Sequence, residues 1–393
     1  MNLGDRTAIV GIGTTPYYPR GRSLPQTVGE LAGKAILAAV EDAGLSVTDI
    51  DGFTYYASGS SALDQQHYTG MLTQTLGIRD LRFTAEMMGG GSGCAGSIEL
   101  AAAAIVSGHA DVVVSLMASQ QATLRFGQAF ARFRNSISDF NVPFGAVAPG
   151  HFNSLIAQRH MKMYGTRREH FAEVCLSQRA NASTRSTALF REPLTLEDYF
   201  AAPMISDPLC RLDYTMESDG AVAIITTSVE RARDLRQPPV YLLAAAHGGD
   251  GRSGRGFPWQ GMPDDIFPTA GFESVATTLY GRGAVSSADV DVALLYDHFS
   301  PMVLFQLEDF GFCGRGESGA FVESGNIRWP HGSIPVNTHG GHLSEAYVLG
   351  MTHVVESVEQ LRGTAVNQVE NAEIALVTGG PSHVPVSAIL LRR

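Results

Sequence analysis

Between Asn337 and Gly350 the chain reads NTHGGHLSEAYVLG. Two histidines, His339 and His342, a carboxylate, Glu345, and a phenol, Tyr347, follow one another around a glycine pair. The apolar residues after them predict a helix that begins near the tyrosine. A phenol can give or take a proton if its pKa of about 10 is lowered or the transfer is concerted. A glycine turn lets backbone N–H groups come close to a substrate oxygen. His339 and His342 form H-x-x-H, but a metal needs a third ligand and a matching scaffold, so no metal site is read here. A second phenol, Tyr296, stands with Asp297 and His298 in YDHFSP, at the end of a strand pattern. Cys94 lies in GGGSGCAGS, where a helix N-terminus would lower a thiol pKa. Gly380 and His383 lie in VTGGPSHVP, and His383 lines either a pocket or a turn. On burial habits alone, each tyrosine is as readily a core residue with a satisfied hydroxyl.

The bulk properties narrow the classes. The chain has 393 residues, 44% of them hydrophobic, a formal charge of −11 and a pI near 5.5. No Lys/Arg run stands out, so nucleic acid and anionic membrane are poor partners. Cys94, Cys175, Cys210 and Cys313 are widely spaced without C-x-x-C, which argues against a disulfide framework or a zinc knuckle. The N-terminal MNLGDRTAIVGIGTTP lacks a signal-peptide layout, and its lone Gly-x-Gly is no dinucleotide fingerprint. The longest apolar run is cut by Gly108, His109 and Asp111, short of a membrane span. The expectation is a cytoplasmic protein.

The elements that must position these groups nearly repeat. Strand patterns (TAIVGIGTT, GFTYYAS, LRFTAEM, ADVVVSLMAS) alternate with helical ones (TVGELAGKAILAAVEDAG, SALDQQHYTGMLTQTLG, SIELAAAAIVSG). Continuous apolar strands joined through helices predict a mostly parallel sheet covered on both faces. Asp49-Ile50-Asp51 recurs as Asp289-Val290-Asp291, an offset of 289 − 49 = 240. Ala110-Asp111 recurs as Ala372-Glu373, an offset of 372 − 110 = 262, and loop insertions absorb the difference. The aspartates read as helix–strand linkers. The polar, Arg-rich stretch from Gln120 to Tyr214 reads as an insertion after a core strand, and RDLRQPPVY joins the halves. The expected division is 1–119 with 215–236, an inserted 120–214, and 237–393.

With these residues in view the chain resembles the thiolase superfamily, in particular the sterol-carrier-protein-type thiolases. The resemblance rests on the duplicated halves, the insertion, SDGAVA at its end, DVALLYDHFSP and the late glycine pair. It implies a five-layered αβαβα fold, dimerisation and acyl-CoA thioester chemistry. The catalytic set departs from the pattern. The nucleophilic cysteine of C-S-T-G-S falls on Gly93, with Cys94 one residue on, about 100° round a helix. Tyr347 takes the histidine slot of G-G-L-I-S-K-G-H-P-L-G. Tyr296 to Pro301 replaces an H-D-C-F-type motif, and VTGG replaces C-x-G-G.

A thiolase scaffold with phenols in place of thiolates resembles the steroid side-chain-cleaving aldolases of the superfamily. It implies retro-aldol cleavage of a β-hydroxyacyl-CoA, with coenzyme A only as part of the substrate. Tyr296 and Tyr347 are the expected proton-transfer pair, their roles not distinguished. Asp297 and Glu345 orient them. His298, His342, Gly93, Cys94, Gly380 and His383 are expected around the substrate or its developing oxyanion. Helix N-termini after both glycine turns would add a favourable field. The alternatives are acyl transfer through Cys94, or a non-catalytic acyl-CoA or lipid-binding subunit. Only 28 Lys and Arg are present to hold CoA phosphates. This agrees with the zinc-ribbon/OB-fold, acyl-CoA-associated partner that the resemblance implies.

Overall fold

A computed structural model describes residues 3–57, 69–88, 90–121, 141–253, 265, 269–380 and 385–393. Among the described residues twelve strands run in chain order: β1 Thr7–Thr14, β2 Tyr18–Pro19, β3 Gly52–Ala57, β4 Phe83–Met88, β5 Val112–Ser119, β6 Met204–Ser206, β7 Leu209–Cys210, β8 Ser218–Ser228, β9 Val240–Gly248, β10 Val292–Leu294, β11 Ile374–Gly379 and β12 Val386–Arg392.

The repeat is visible in strand order. One half runs β1-β8-β5-β3-β4 and the other β9-β12-β11-β10, continued by a parallel bridge from Ala293 to Val336. The halves meet where β1 pairs antiparallel with β9. The aspartate repeat has a matching physical job in each copy. Asp49 and Asp289 close capping turns on Ser46 and Ser286. Asp51 accepts from the N–H groups of Asp111 and Val112, and Asp291 from those of Glu373 and Ile374. In both halves a linker carboxylate therefore satisfies the first backbone donors of the neighbouring strand.

The sheet is mixed, which corrects the expectation of a mostly parallel one. β3 runs parallel to β4 and β5, and β10 to β11, but β8 and β12 run against their neighbours. Apolar runs report burial on two faces and carry no direction. Direction follows the connections: β11 and β12 are joined by residues 380–385, far too short for a parallel crossover. The inserted segment occupies the corresponding place between β5 and β8, whose ends still pair, Ser119 with Gly220.

Helices complete five layers. The helix Val28–Ala43, capped by Thr27 and stopped by Gly44 at φ 72°, packs outside β1 and β8. The helix Glu273–Gly283 packs outside β9 and β12. The helices Gly93–Val106 and Met351–Arg362 lie between the halves and touch strands of both. The first begins four residues before the expected SIELAAAAIVSG pattern, because its opening turn of small residues carries no periodic signal. Part of the SALDQQHYTGMLTQTLG pattern lies outside the described residues; Thr69–Leu76 is helical. In the insertion the helix Arg168–Ser183 packs on the helix Ser300–Asp309 and on the short helix Gly341–Ser344, bringing it to the chemistry-bearing stretch. No helix among the described residues is long and apolar enough to cross a membrane.

Candidate active site

Tyr296 lies two residues past β10 and is held from three directions. Its N–H donates to Thr378 Oγ1 at 2.8 Å, and its carbonyl accepts from Gln306 Nε2 at 2.8 Å. Leu295 just before it exchanges hydrogen bonds of 2.8 and 2.9 Å with the Asn337 side chain. The strand end is thus stitched to the start of the 337–350 stretch.

Tyr347 is not at a helix start. The helix Gly341–Ser344 stops after one turn, and the long helix begins at Met351. Gly350 in a left-handed conformation, φ 92°, interrupts the apolar run that suggested one helix. Tyr347 stands on the intervening loop, so the expected helix-terminal field at this turn comes down to a single turn of helix. Its N–H donates to Ser218 Oγ at 3.1 Å. The two phenol oxygens lie 3.0 Å apart. Tyr296 is 1% exposed and Tyr347 8%. Burial raises both pKa values: Tyr296 well above the usual 10, Tyr347 only to about 12, because its hydrogen bond with Tyr296 opposes the rise.

The first glycine turn fits around these rings. A Cβ on Gly91 would stand 2.1 Å from Cζ and 2.2 Å from the oxygen of Tyr296. A Cβ on Gly93 would stand 2.2 Å from Cγ of Tyr56, whose hydroxyl donates to the Leu349 carbonyl at 2.8 Å. Cys94 is fully buried, its sulfur directed at the Thr378 carbonyl at 3.7 Å in space left by Gly350 and Gly379. Burial pushes its thiol up to about 12. The activation expected from a helix N-terminus is overruled, because a thiolate there would be desolvated without a cation.

Asp297 organises the second turn. Its oxygens accept from the N–H groups of His342 and Leu343 at 3.0 and 3.1 Å, and lie 3.1 Å from His342 Nδ1 and from His353 Nε2. The His342 ring stands edge-on to both phenols, with centroids 4.8 Å from Tyr296 and 5.0 Å from Tyr347. His298 lies 5.2 Å from Tyr296, ring to ring. Burial and the neighbouring imidazoles hold His339 and His342 well below the usual histidine range, so both are neutral near pH 7. A neutral imidazole can donate a hydrogen bond without surrendering its proton.

Among the described residues, Asp297, His342 and His353 have ligand atoms within 4.8 Å of one another and could hold an ion. Their hydrogen bonds fit that use poorly. His353 Nε2 faces the Leu295 carbonyl at 3.0 Å and must carry its proton there, and both Asp297 oxygens already serve backbone donors.

The other expected residues disperse. Glu345 points away from the phenols, onto Arg185 and Thr187 at 3.0 and 2.8 Å. Gly380, at φ 150° past β11, has Val386 where a Cβ would stand. His383 lies outside the described residues. Sequence reasoning missed Tyr56, Ser218, Gln306, Thr378 and Arg185. Ser218, in SDGAVA, and Thr378, in VTGG, lay in motifs already singled out, and Tyr56 lay in a strand pattern; Gln306 and Arg185 act through contacts between distant segments.

The profile of the thiolase C-terminal domain-like family matches residues 260–392. The 17-hydroxy-3-oxo-4-pregnene-20-carboxyl-CoA lyase of Mycobacterium tuberculosis is 39% identical, covering 99% of this chain and all of its own. The chain belongs to the aldolase branch of the thiolase superfamily. The steroid side-chain-cleaving aldolase of Thermomonospora curvata is 38% identical, covering 99% of this chain and 98% of its own. A solved structure described as an Ltp2-ChsH2(DUF35) aldolase superposes with a TM-score of 0.87 at 35% identity, over 100% of this chain and 99% of its own. As a member of that branch, the protein is a carbon–carbon lyase.

In this aldolase the position of the thiolase nucleophile is closed by packing. The Tyr56 ring fills the space a side chain at position 93 would need. The adjacent sulfur is a buried, protonated thiol. Replacing Cys94 with alanine is therefore expected to leave kcat within about twofold, with a small packing loss of about 1 kcal/mol. Steady-state kinetics with a melting curve check this. A collapse of turnover in the folded variant would restore the acyl-transfer reading.

Proposed function

We propose that this aldolase cleaves a β-hydroxyacyl-CoA bearing a bulky, steroid-like group into a ketone and a shortened acyl-CoA. Coenzyme A enters only as part of the substrate. The carrying observation is the 3.0 Å contact between the Tyr296 and Tyr347 oxygens. The names of the full-length relatives support the substrate class.

Tyr347 is the base. Its proton is the easier of the two to remove, since the hydrogen bond the phenols share lowers the Tyr347 pKa and raises that of Tyr296. The phenolate of Tyr347 takes the proton of the β-hydroxyl, whose oxygen electrons form the ketone as the Cα–Cβ bond breaks. The bonding pair passes into the thioester enolate. The proton on Tyr347 then returns to Cα, restoring the phenolate. The donor set for the enolate oxygen is the neutral His342 ring and the N–H groups at the Gly91 turn. The substrate hydroxyl approaches from the Tyr347 side, the less deeply buried of the pair.

A cavity of about 480 Å³ opens beside this loop, lined by Arg179, Ser183, Leu189, Phe190, Arg191 and Glu192. Arg179 reaches from it to Ser344 Oγ at 3.0 Å. Two guanidinium groups there suit phosphate of the coenzyme. Arg191→Ala is expected to raise KM about 5- to 10-fold with kcat unchanged, the pattern for lost uniform binding. Initial-rate kinetics over acyl-CoA concentration read this out.

The active assembly pairs the chain, as a homodimer in the cytoplasm, with a zinc-ribbon/OB-fold partner; a solved DUF35-containing relative supports the partner. The deciding experiment incubates the chain, with and without such a partner, with a tertiary β-hydroxyacyl-CoA. A ketone and a shortened acyl-CoA in equal amounts are expected. Unchanged substrate in the complex, or acyl transfer to added thiol, would overturn the reading.

A further inference from the structure

The loop carrying Tyr347 is gripped by the inserted segment through one buried guanidinium. Arg185, just beyond the helix Arg168–Ser183, is buried. Its Nε lies 3.0 Å from Glu345, its Nη1 2.8 Å from Glu356 and its Nη2 3.3 Å from Glu359. Glu345 is two residues before Tyr347; Glu356 and Glu359 are on the helix Met351–Arg362 that follows it. One cation therefore ties both ends of the Tyr347 loop to the insertion. The same segment adds Thr187 Oγ1 on Glu345 at 2.8 Å. The N–H groups of Leu189 and Phe190 donate to the carbonyls of Glu345 and Ser344, at 2.9 and 3.0 Å.

We propose that Arg185 and Glu345 are positioning residues that hold the base Tyr347 against Tyr296, and that the inserted segment thereby controls turnover. This rests on Tyr347 as the base. Neither residue touches the phenols; they act through the backbone of residues 344–347. A misplacement of about 1 Å at a reacting group costs about 100-fold in rate, so the grip is worth having beyond mere folding.

The clamp also has a pH direction. Glu345 faces Arg185 and Thr187 from the insertion, His339 at 3.9 Å from its own loop, Glu356 and Glu359 from the following helix, and Tyr17 after β1. Burial raises Glu345 to about 7 against the pull of Arg185, and burial with Glu356 does the same for Glu359. His339 is neutral throughout. Below pH 7 Glu345 is protonated and its pairing with Arg185 loses the charge; as pH rises through 7 the pairing strengthens.

The test measures hydrogen–deuterium exchange of the amides 344–350, together with kcat and KM between pH 6 and 8.5, in the assembled enzyme. In wild type, exchange, corrected for its intrinsic rate, should slow as pH rises through about 7. Arg185→Met should speed it at all pH values and lower kcat about 10- to 100-fold, with KM within about threefold. Arg185→Lys, one point charge in place of a fork, should recover part of kcat. Should Arg185→Met fail to fold, Glu345→Gln keeps shape and hydrogen bonding while removing the Glu345 titration, and its exchange step near pH 7 should shrink to the part Glu359 contributes. Unchanged exchange in the folded variants, or kcat within about twofold of wild type, overturns the proposal. Exchange is read without turnover, so the clamp stands or falls separately from the identity of the base.

Discussion

Tyr347→Phe is expected to lower kcat by about 10²- to 10⁴-fold, the usual size of a lost general base, with the fold intact. The ring is kept, so the packing against His342 and Tyr296 is kept. Only the oxygen 3.0 Å from Tyr296 is removed. Tyr296→Phe should cost less and behave differently with pH. The hydrogen bond with Tyr296 holds the Tyr347 pKa down. Without it that pKa rises, and the phenolate forms only at higher pH. Part of the lost rate should therefore return as pH is raised in Tyr296→Phe, and none in Tyr347→Phe. Equal, pH-independent losses would contradict the division of roles, and near-wild-type rates in both would remove the phenols from the chemistry.

The second large effect is expected from Gly91→Ala. A methyl group there would stand 2.1 to 2.5 Å from ring atoms of Tyr296. Real carbon contacts do not come so close. The opposing ring is anchored through its backbone to Thr378, Gln306 and, via Leu295, Asn337, so it cannot simply slide away. Overpacking of this kind costs about 1–3 kcal/mol. It should also part the two phenol oxygens and reduce kcat about 100-fold. A melting curve and kcat measured together read both. Full activity with an unchanged melting point would mean that the Gly91 turn is not packed on Tyr296 as described.

How much of this was legible beforehand differs from element to element. Thr27 and Gly44 delimit a helix by local chemistry, a capping box and a left-handed stop, and such signals survive in a single sequence. The Asp49/Asp51 and Asp289/Asp291 repeat is equally local and carried the duplication. The helix expected through Tyr347 shows the limit. Apolar spacing there reports burial, while the backbone breaks because Gly350 takes a left-handed turn and Tyr56 holds the Leu349 carbonyl. Strand direction was misjudged for a related reason, since hydrophobicity is the same whichever way a buried strand runs.

Residue types and their slots, read along the chain, were enough to place it in an acyl-CoA-handling superfamily and to nominate phenols where thiols and a histidine would stand. They did so because glycine turns, caps and motif spacings are properties of neighbouring residues. Which groups meet was decided only in three dimensions. Tyr296 and Tyr347 are 51 positions apart and touch; Arg185 lies 160 positions from the Glu345 it grips. Tyr56, on β3, fills the space beside Gly93 at the start of a helix, where the resemblance puts the thiolase nucleophile. Burial then set the proton affinities, raising phenols and thiol and neutralising imidazoles, because the cost of a buried charge depends on everything packed around it.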